Sequence, residues 1–142
     1  MTYATSQNCI DRFGHDVVAT ATDRANTGSI DTTLLAKALT DADSTINSYV
    51  SGLPGFPFTP VPDAFEKIAC DLALYFAALP ASAATEEMRQ RYEDAIEYLK
   101  LVGKQQIRLP YSAGAGFVAP NSTADIVQGE RLFTRTTLGE LF

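Results

Sequence analysis

The sequence predicts an all-α protein: a small helical bundle followed by an extended C-terminal arm. Apolar residues recur at helical spacing in three long segments and two shorter ones. The connections between these segments are short and contain the Gly, Pro, Asn and Asp residues that favour turns. Helical periodicity stops near residue 110. We therefore expect a helical domain over residues 1–110 and an extended arm over residues 111–142.

Two short helices are expected at the N-terminus. Thr5 or Ser6 has the side chain of a helix N-cap, and Gly14 is suited to end the helix that follows. A second short helix covers roughly residues 15–21. The turn after it contains two residues that tolerate left-handed backbone angles, Asn26 and Gly28.

A third helix is predicted over roughly residues 32–50, with Asp31 as its N-cap and Gly52 after its end. Its apolar stripe consists of Leu35, Ala38, Leu39, Ala42, Ile46, Tyr49 and Val50. The linker that follows, residues 52–60, contains three prolines and two glycines, so we expect it to be extended and stiff. Its large apolar side chains are expected to dock on the core, because they would otherwise face water: Leu53, Phe56 and Phe58.

The most apolar continuous segment, residues 60–80, is predicted to form the central helix of the bundle. Pro62 suits the first helical position, and Pro80 cannot continue the helix and ends it. The apolar stripe of this helix is Phe65, Ile68, Ala69, Leu72, Ala73, Phe76 and Leu79. Further apolar residues extend around the cylinder, so we expect other segments to pack against it on several sides.

A fourth long helix is predicted to begin after its N-cap, Thr85, and to end at Gly103. Its buried stripe is Met88, Tyr92, Ala95, Ile96, Leu99 and Val102. Beyond it, residues 107–111 fit either a short strand or the start of an extended arm.

The arm is predicted from a change in composition. Residues 112–129 are rich in Gly, Ala, Ser, Asn and Pro and show no period, so alone they are expected to be flexible. The last residues, E-R-L-F-T-R-T-T-L-G-E-L-F, are apolar and basic, which favours docking on another chain. The alternative is that they fold back on their own domain. The expected anchors of this partner-binding arm are Tyr111, Arg131, Leu132, Phe133, Arg135, Leu138 and Phe142.

Composition argues against several classes of protein. The net charge of −6 disfavours a free-standing binder of nucleic acid or of anionic membranes. No apolar run approaches the roughly 18 residues that span a bilayer. The N-terminus shows neither the basic nor the apolar region of a signal peptide. We therefore expect a protein made in the cytoplasm, in which Cys9 and Cys70 are reduced core thiols rather than a disulfide.

The sequence contains no convincing catalytic or metal-binding constellation. His15 is the only histidine, so a His-based metal site or a nucleophile–histidine pair would depend on one residue in a short helix. The glycines in residues 112–116 are not followed by the Lys-Ser/Thr of a phosphate loop. Asp41, Asp43 and Asp63 lack the spacing of a calcium loop. We predict no catalytic residue, no cofactor, no metal, and a protein that is not an enzyme.

Asp71 is singled out because it lies in the middle of the apolar central helix. An unpaired carboxylate in that position is costly, so we predict a structural ion pair with Arg24 from the turn or with Arg91 from the fourth long helix. The alternative is a general acid or base, for which no neighbouring nucleophile is visible. A hydrolase would need a second catalytic group beside Asp71 or His15.

Several segments, in order along nearly the whole chain, resemble one family. They are Y-A-T-S-Q-N-C-I-D-R-F-G, A-T-D-R-A-N-T-G-S-I-D, A-L-T-D-A-D-S-T-I-N-S-Y-V, F-E-K-I-A-C-D-L-A-L-Y, R-Y-E-D-A-I-E-Y-L-K and R-L-F-T-R-T-T-L-G. The family consists of small proteins of Mu-like phages encoded beside the major head protein. One departure lies in the linker: where this chain reads S-G-L-P-G-F-P-F, family members often have an Arg-Tyr and an apolar-Pro-Leu run.

The resemblance implies a structural virion protein at the neck of a tailed phage. It is similar to head-to-tail connectors, which are adaptor or head-completion subunits that form a dodecameric ring below the portal. The implied partners are further copies of the chain, the portal protein, and a tail-side neck or tail terminator protein, while DNA passes through the channel without specific binding. An alternative is a non-enzymatic assembly factor or chaperone-like binding protein that is absent from the mature particle.

Overall fold

The structure is a computed structural model, and it describes residues 1–109. Over that range the protein is all-α and contains no β-strand, so the predicted fold class is confirmed. The helices are α1 (Ser6–Phe13), α2 (His15–Thr22), α3 (Thr32–Val50), α4 (Asp63–Ala78) and α5 (Glu86–Gly103), and a 3₁₀ turn, Leu79–Ala81, follows α4. The predicted arm, residues 111–142, lies outside the described residues.

The predicted N-caps are all present. The Thr5 hydroxyl accepts the backbone N–H of Asn8 at 3.3 Å, and the Asn8 side chain accepts the Thr5 N–H at 2.8 Å, which forms a capping box. Asp31 accepts two backbone N–H groups at 3.0 Å each at the start of α3, and Thr85 accepts one at 3.2 Å at the start of α5. Local side-chain chemistry therefore fixes where these three helices begin.

Helix α4 lies at the centre of the bundle. It contacts each of the other four α-helices, and its contact with α3 is the most extensive. The predicted bounds need two corrections. Pro62 is the N-cap rather than the first helical residue, and the helix ends at Ala78. Leu79 still has helical backbone angles and its N–H bonds to the carbonyl of Tyr75, but it is 52% exposed instead of buried, so the buried face of α4 ends before it.

The proline-rich linker docks on the core through its aromatic residues, as predicted. Phe58 is buried, and its ring centroid lies 5.6 Å from that of Phe65 in α4 and 5.8 Å from that of Phe56. The Phe56–Pro57 and Thr59–Pro60 peptide bonds are cis. The linker is thus part of the hydrophobic core rather than a loose connection.

The residues before α1 also belong to the core. The Tyr3 hydroxyl donates a hydrogen bond of 2.6 Å to the Asn47 side chain, and the Tyr3 backbone N–H donates one of 3.1 Å to Asp43. The Tyr3 ring packs edge-on against Phe65 at 5.4 Å. Burial, together with the nearby charge of Asp43, raises the pKa of Tyr3 to about 12. This segment therefore ties the N-terminus to both α3 and α4.

Helix α5 ends at Gly103 as predicted, but for a different reason. A Cβ at this position would lie 2.9 Å from the carbonyl oxygen of Tyr49, so glycine allows α5 to approach the backbone of α3 closely. The residue with left-handed backbone angles is Gln105, two positions later, with a φ of 59°. In the turn after α2, by contrast, Asn26 and Gly28 do have the left-handed angles that the sequence predicts.

Candidate functional site

The side of the bundle where α1 and α2 lie near α4 and α5 contains a buried carboxylate and two buried thiols. Asp71, on α4, has a side chain that is only 3% exposed. Its nearest cation is Lys67, one helical turn earlier, with Nζ 3.3 Å from Oδ2. The Nη1 atom of Arg91, on α5, lies 4.0 Å from Oδ1. Of the two arginines considered from the sequence, Arg91 is the one near Asp71, whereas Arg24 is exposed in the turn after α2 and, within residues 1–109, forms no ion pair with it.

Arg91 connects three elements at once. It pairs with Glu87, its neighbour one turn earlier on α5, at 2.5 Å. Its guanidinium carbon lies 5.4 Å from the ring centroid of Phe13 at the end of α1, a cation–π contact. Nearby, Arg12 of α1 pairs with Glu66 of α4 at 3.4 Å. Because these cations are partly exposed, each pair contributes roughly 1 kcal/mol or less, and their main effect is to orient α1 and α5 on α4.

Two thiols lie in contact beneath these charges. The Sγ atoms of Cys9, on α1, and Cys70, on α4, are 3.1 Å apart, and both residues are free and fully buried. The hydrogen bond that the Cys9 thiol donates to Cys70, together with burial, raises the pKa of Cys9. The same hydrogen bond lowers the pKa of Cys70, and the charge of Arg12 acts in the same direction. The sequence indicates that both cysteines are core residues, but it gives no sign that they meet.

A surface groove of about 200 Å³ opens beside this cluster. Its apolar floor combines residues from four helices, and charged side chains form its rim. It is lined by Arg12, Phe13, Val17, Leu74, Thr85, Glu87, Met88 and Arg91. The groove is not visible in the sequence, because it exists only once the α1–α2 pair has packed against α4 and α5. The residue that could have pointed to the groove is Val17, an apolar residue on the short helix α2, which is 39% exposed in the structure.

The remaining candidate residues are dispersed. His15 is exposed at the start of α2, with Nδ1 3.7 Å from a carboxylate oxygen of Asp16. Asp43 binds the Tyr3 N–H, while Asp41 and Asp63 are exposed on different helices. Within residues 1–109, no three or more His, Cys, Asp and Glu residues are grouped so that they could hold a metal ion. The same range contains no helix that is both long enough and apolar enough to span a membrane.

The anchors predicted for the partner-binding arm lie outside the described residues. They are Tyr111, Arg131, Leu132, Phe133, Arg135, Leu138 and Phe142. Their role in binding a partner therefore remains a prediction from the sequence.

Comparison with known proteins identifies the family. The sequence profile of the family described as "Bacteriophage Mu, Gp36" matches residues 3–128, which is most of the chain. The Mu-like prophage FluMu protein gp36 of Haemophilus influenzae is 34% identical over 110 residues, which cover 78% of this chain and 77% of the relative. The match extends over all five helices and continues past the end of α5. This protein therefore belongs to the Mu Gp36 family of phage proteins.

Proposed function

We propose that this phage protein is a head-to-tail connector, a subunit that joins copies of itself into a ring below the portal of a tailed phage. The observation that supports this most is that the family match begins in the helical body and continues to residue 128, well beyond the end of α5 at Gly103. What the family shares is thus a packed body together with a part of the segment that follows it. A connector needs both, a body with a fixed shape and a segment that engages a neighbour.

The helical body supplies the shape. Helix α4 is surrounded by the other helices, and the linker and the residues before α1 are held in the same core through Phe58 and Tyr3. A body closed in this way presents a constant outer surface to neighbouring copies. In a ring, that surface meets other copies on two sides, the portal on one face and a tail-side neck or tail terminator protein on the other.

The C-terminal arm, residues 111–142, binds the portal protein. Its end combines Phe133 and Phe142 with Arg131 and Arg135, the types of residue that dominate binding energy at protein interfaces. The net charge of −6 suits a channel wall along which DNA slides, because a cationic wall would hold the phosphates. In this function the protein binds and positions other proteins and performs no reaction.

Truncation tests the proposal directly. Removing residues 111–142 should leave a helical domain that unfolds cooperatively but no longer enters phage heads. The measurement is the amount of the protein in purified heads, together with circular dichroism of the isolated truncate. Incorporation of the truncate at the level of the full chain would contradict the assigned role of the arm.

A full-length variant guards against an indirect effect of truncation. A triple variant with Ser in place of Phe133, Arg135 and Leu138 should also fail to enter heads. A control variant with Ser in place of Thr134 and Thr136, in the same segment, should enter them normally.

Mass spectrometry of purified virions then separates a connector from an assembly factor. A connector persists at ring stoichiometry, whereas an assembly factor is absent from the mature particle.

A further inference from the structure

Cys9 and Cys70 are the only two cysteines of the chain, and the fold brings them together from positions 61 residues apart. Their sulfur atoms lie 3.1 Å apart on two different helices, α1 and α4. Both sulfurs lie on the side of α4 that carries Asp71, near the ion pair between Arg12 and Glu66. Two thiols held in contact in this way need only a small movement to form a covalent bond.

We propose that Cys9 and Cys70 form a redox pair, reduced while the protein is made and joined by a disulfide when it meets a peroxide or a small disulfide. The bond would fasten α1 to α4 beside the groove. Its timing in the phage rests on the proposed function: a virion protein passes from a reducing cytoplasm, where thiols persist, to the oxidising surroundings outside the lysed cell, where disulfides persist.

The chemistry with a peroxide balances as follows. The Cys70 thiol loses its proton and its thiolate attacks one peroxide oxygen. The O–O bond breaks, and the departing hydroxide takes up that proton and leaves as water, which gives a sulfenic acid on Cys70. The Cys9 sulfur then attacks the Cys70 sulfur, the S–O bond breaks, and a second water leaves with the Cys9 proton. Two S–H bonds are lost and one S–S bond forms, while two electrons pass to the peroxide. A thiol reductant reverses the change through a mixed disulfide.

The structure favours Cys70 as the first sulfur to react. It accepts the hydrogen bond from Cys9, and the cation of Arg12 lies close enough to stabilise its thiolate. Both sulfurs are buried, so an oxidant must enter when α1 moves away from α4. Helix α1 has only eight residues, so it is expected to open more readily than the long helices.

The disulfide would enclose α2, α3 and the proline-rich linker in one covalent loop, because all three lie between Cys9 and Cys70. Such a long loop strongly restricts the unfolded chain and therefore stabilises the folded one. The oxidised protein should therefore resist unfolding by heat or urea better than the reduced protein.

The test is a redox titration of the full-length chain. The protein is equilibrated with glutathione buffers of increasing oxidised fraction, once folded and once in urea, and the free thiols are counted by mass after alkylation. The folded chain should form the intramolecular disulfide at an oxidant ratio on the order of 30-fold or more below that of the unfolded chain. The melting temperature of the oxidised protein should exceed that of the reduced protein by about 10 °C.

Single variants, Cys9→Ala and Cys70→Ala, serve as controls and should show neither the intramolecular disulfide nor the rise in melting temperature. Equal midpoints for folded and unfolded chains, or only intermolecular dimers, would overturn the proposal. The titration uses purified protein, so it can succeed even if the protein is missing from virions. In that case only the timing in the particle would fail, together with the connector function.

Discussion

Helix α4 has two buried faces that differ in chemistry. One, which we call the apolar face, is formed by Phe65, Ile68, Ala69, Leu72 and Ala73. The other, the mixed face, is formed by Cys70, Asp71 and Leu74. Both exclude water almost completely. The apolar face contains only hydrocarbon side chains, whereas the mixed face holds a thiol and a carboxylate and adjoins an open groove.

The difference shows which part of the bundle stabilises it. Burial of hydrocarbon is favourable at roughly 25 cal/mol per Å², so the apolar face contributes to stability with little opposing cost. A buried carboxylate loses its hydration, and its attraction to partly exposed cations offsets that cost only in part. For the same buried area, the mixed face is therefore expected to contribute less to stability than the apolar face.

The largest expected effect separates the two faces. Phe65→Ala removes a ring that packs against both Tyr3 and Phe58, and it should lower the free energy of unfolding by about 3 to 5 kcal/mol. Leu74→Ala should cost less, at the low end of about 2 to 5 kcal/mol, because Leu74 lines the groove and water can reach the vacated space. Urea denaturation of the full chain measures both. A larger loss for Leu74→Ala would reverse the comparison.

The fold itself was largely predictable because its signals are local. The caps Thr5, Asp31 and Thr85 each act on backbone groups within three residues, so the starts of α1, α3 and α5 can be read from short stretches of sequence. The apolar period identifies the inner face of each helix. The prediction that Leu79 is buried was wrong, because the helical period continues one position past the buried part of α4.

The second expected effect concerns Tyr3, whose ring packs against the apolar face. Its pKa is raised from 10.0 to about 12 in the folded protein, so between these values the unfolded chain loses the phenol proton and the folded chain keeps it. The free energy of unfolding should therefore be unaffected by this group below pH 10 and should fall by roughly 2 to 3 kcal/mol as the pH rises to about 12.

The variant Tyr3→Phe isolates this contribution, because it keeps the ring and removes the titrating hydroxyl. The stability difference between the original protein and this variant should be constant below pH 10 and decline above it. Urea denaturation at several pH values gives this difference directly. A difference that stays constant up to pH 12 would show that the Tyr3 hydroxyl is not held in its neutral form.

The third expected effect lies where α5 meets α3. Gly103→Ala should destabilise the protein by about 1 to 3 kcal/mol, because the new Cβ would lie 2.9 Å from the Tyr49 carbonyl oxygen and would force the helices apart. Gly52→Ala is the matched control. No atom lies within 4 Å of its added Cβ and its φ is not positive, so it should be neutral or stabilise by up to about 1 kcal/mol. Thermal unfolding of the two variants side by side tests the contrast.

The candidate site was less predictable than the fold because its contacts join distant segments. The Cys9–Cys70 contact and the Tyr3–Asp43 hydrogen bond span 61 and 40 residues, and no local pattern gives such distances. Lys67 is different. It lies four residues before Asp71, a spacing that brings side chains together on any helix, so its ion pair was visible in the sequence and was missed.

The smallest expected effect tests the carboxylate of the mixed face. Lys67 is 65% exposed and Arg91 43% exposed, so both cations stay hydrated if Asp71 is replaced. Asp71→Leu should therefore be neutral or stabilise the protein by about 1 kcal/mol, since it removes the desolvation of a buried charge. In a double-mutant cycle with Lys67→Ala, the coupling energy should be at most about 1 kcal/mol. A coupling well above that value would show that the ion pair stabilises the bundle as strongly as hydrocarbon does, and the two faces of α4 would then be equivalent in energy despite their different chemistry.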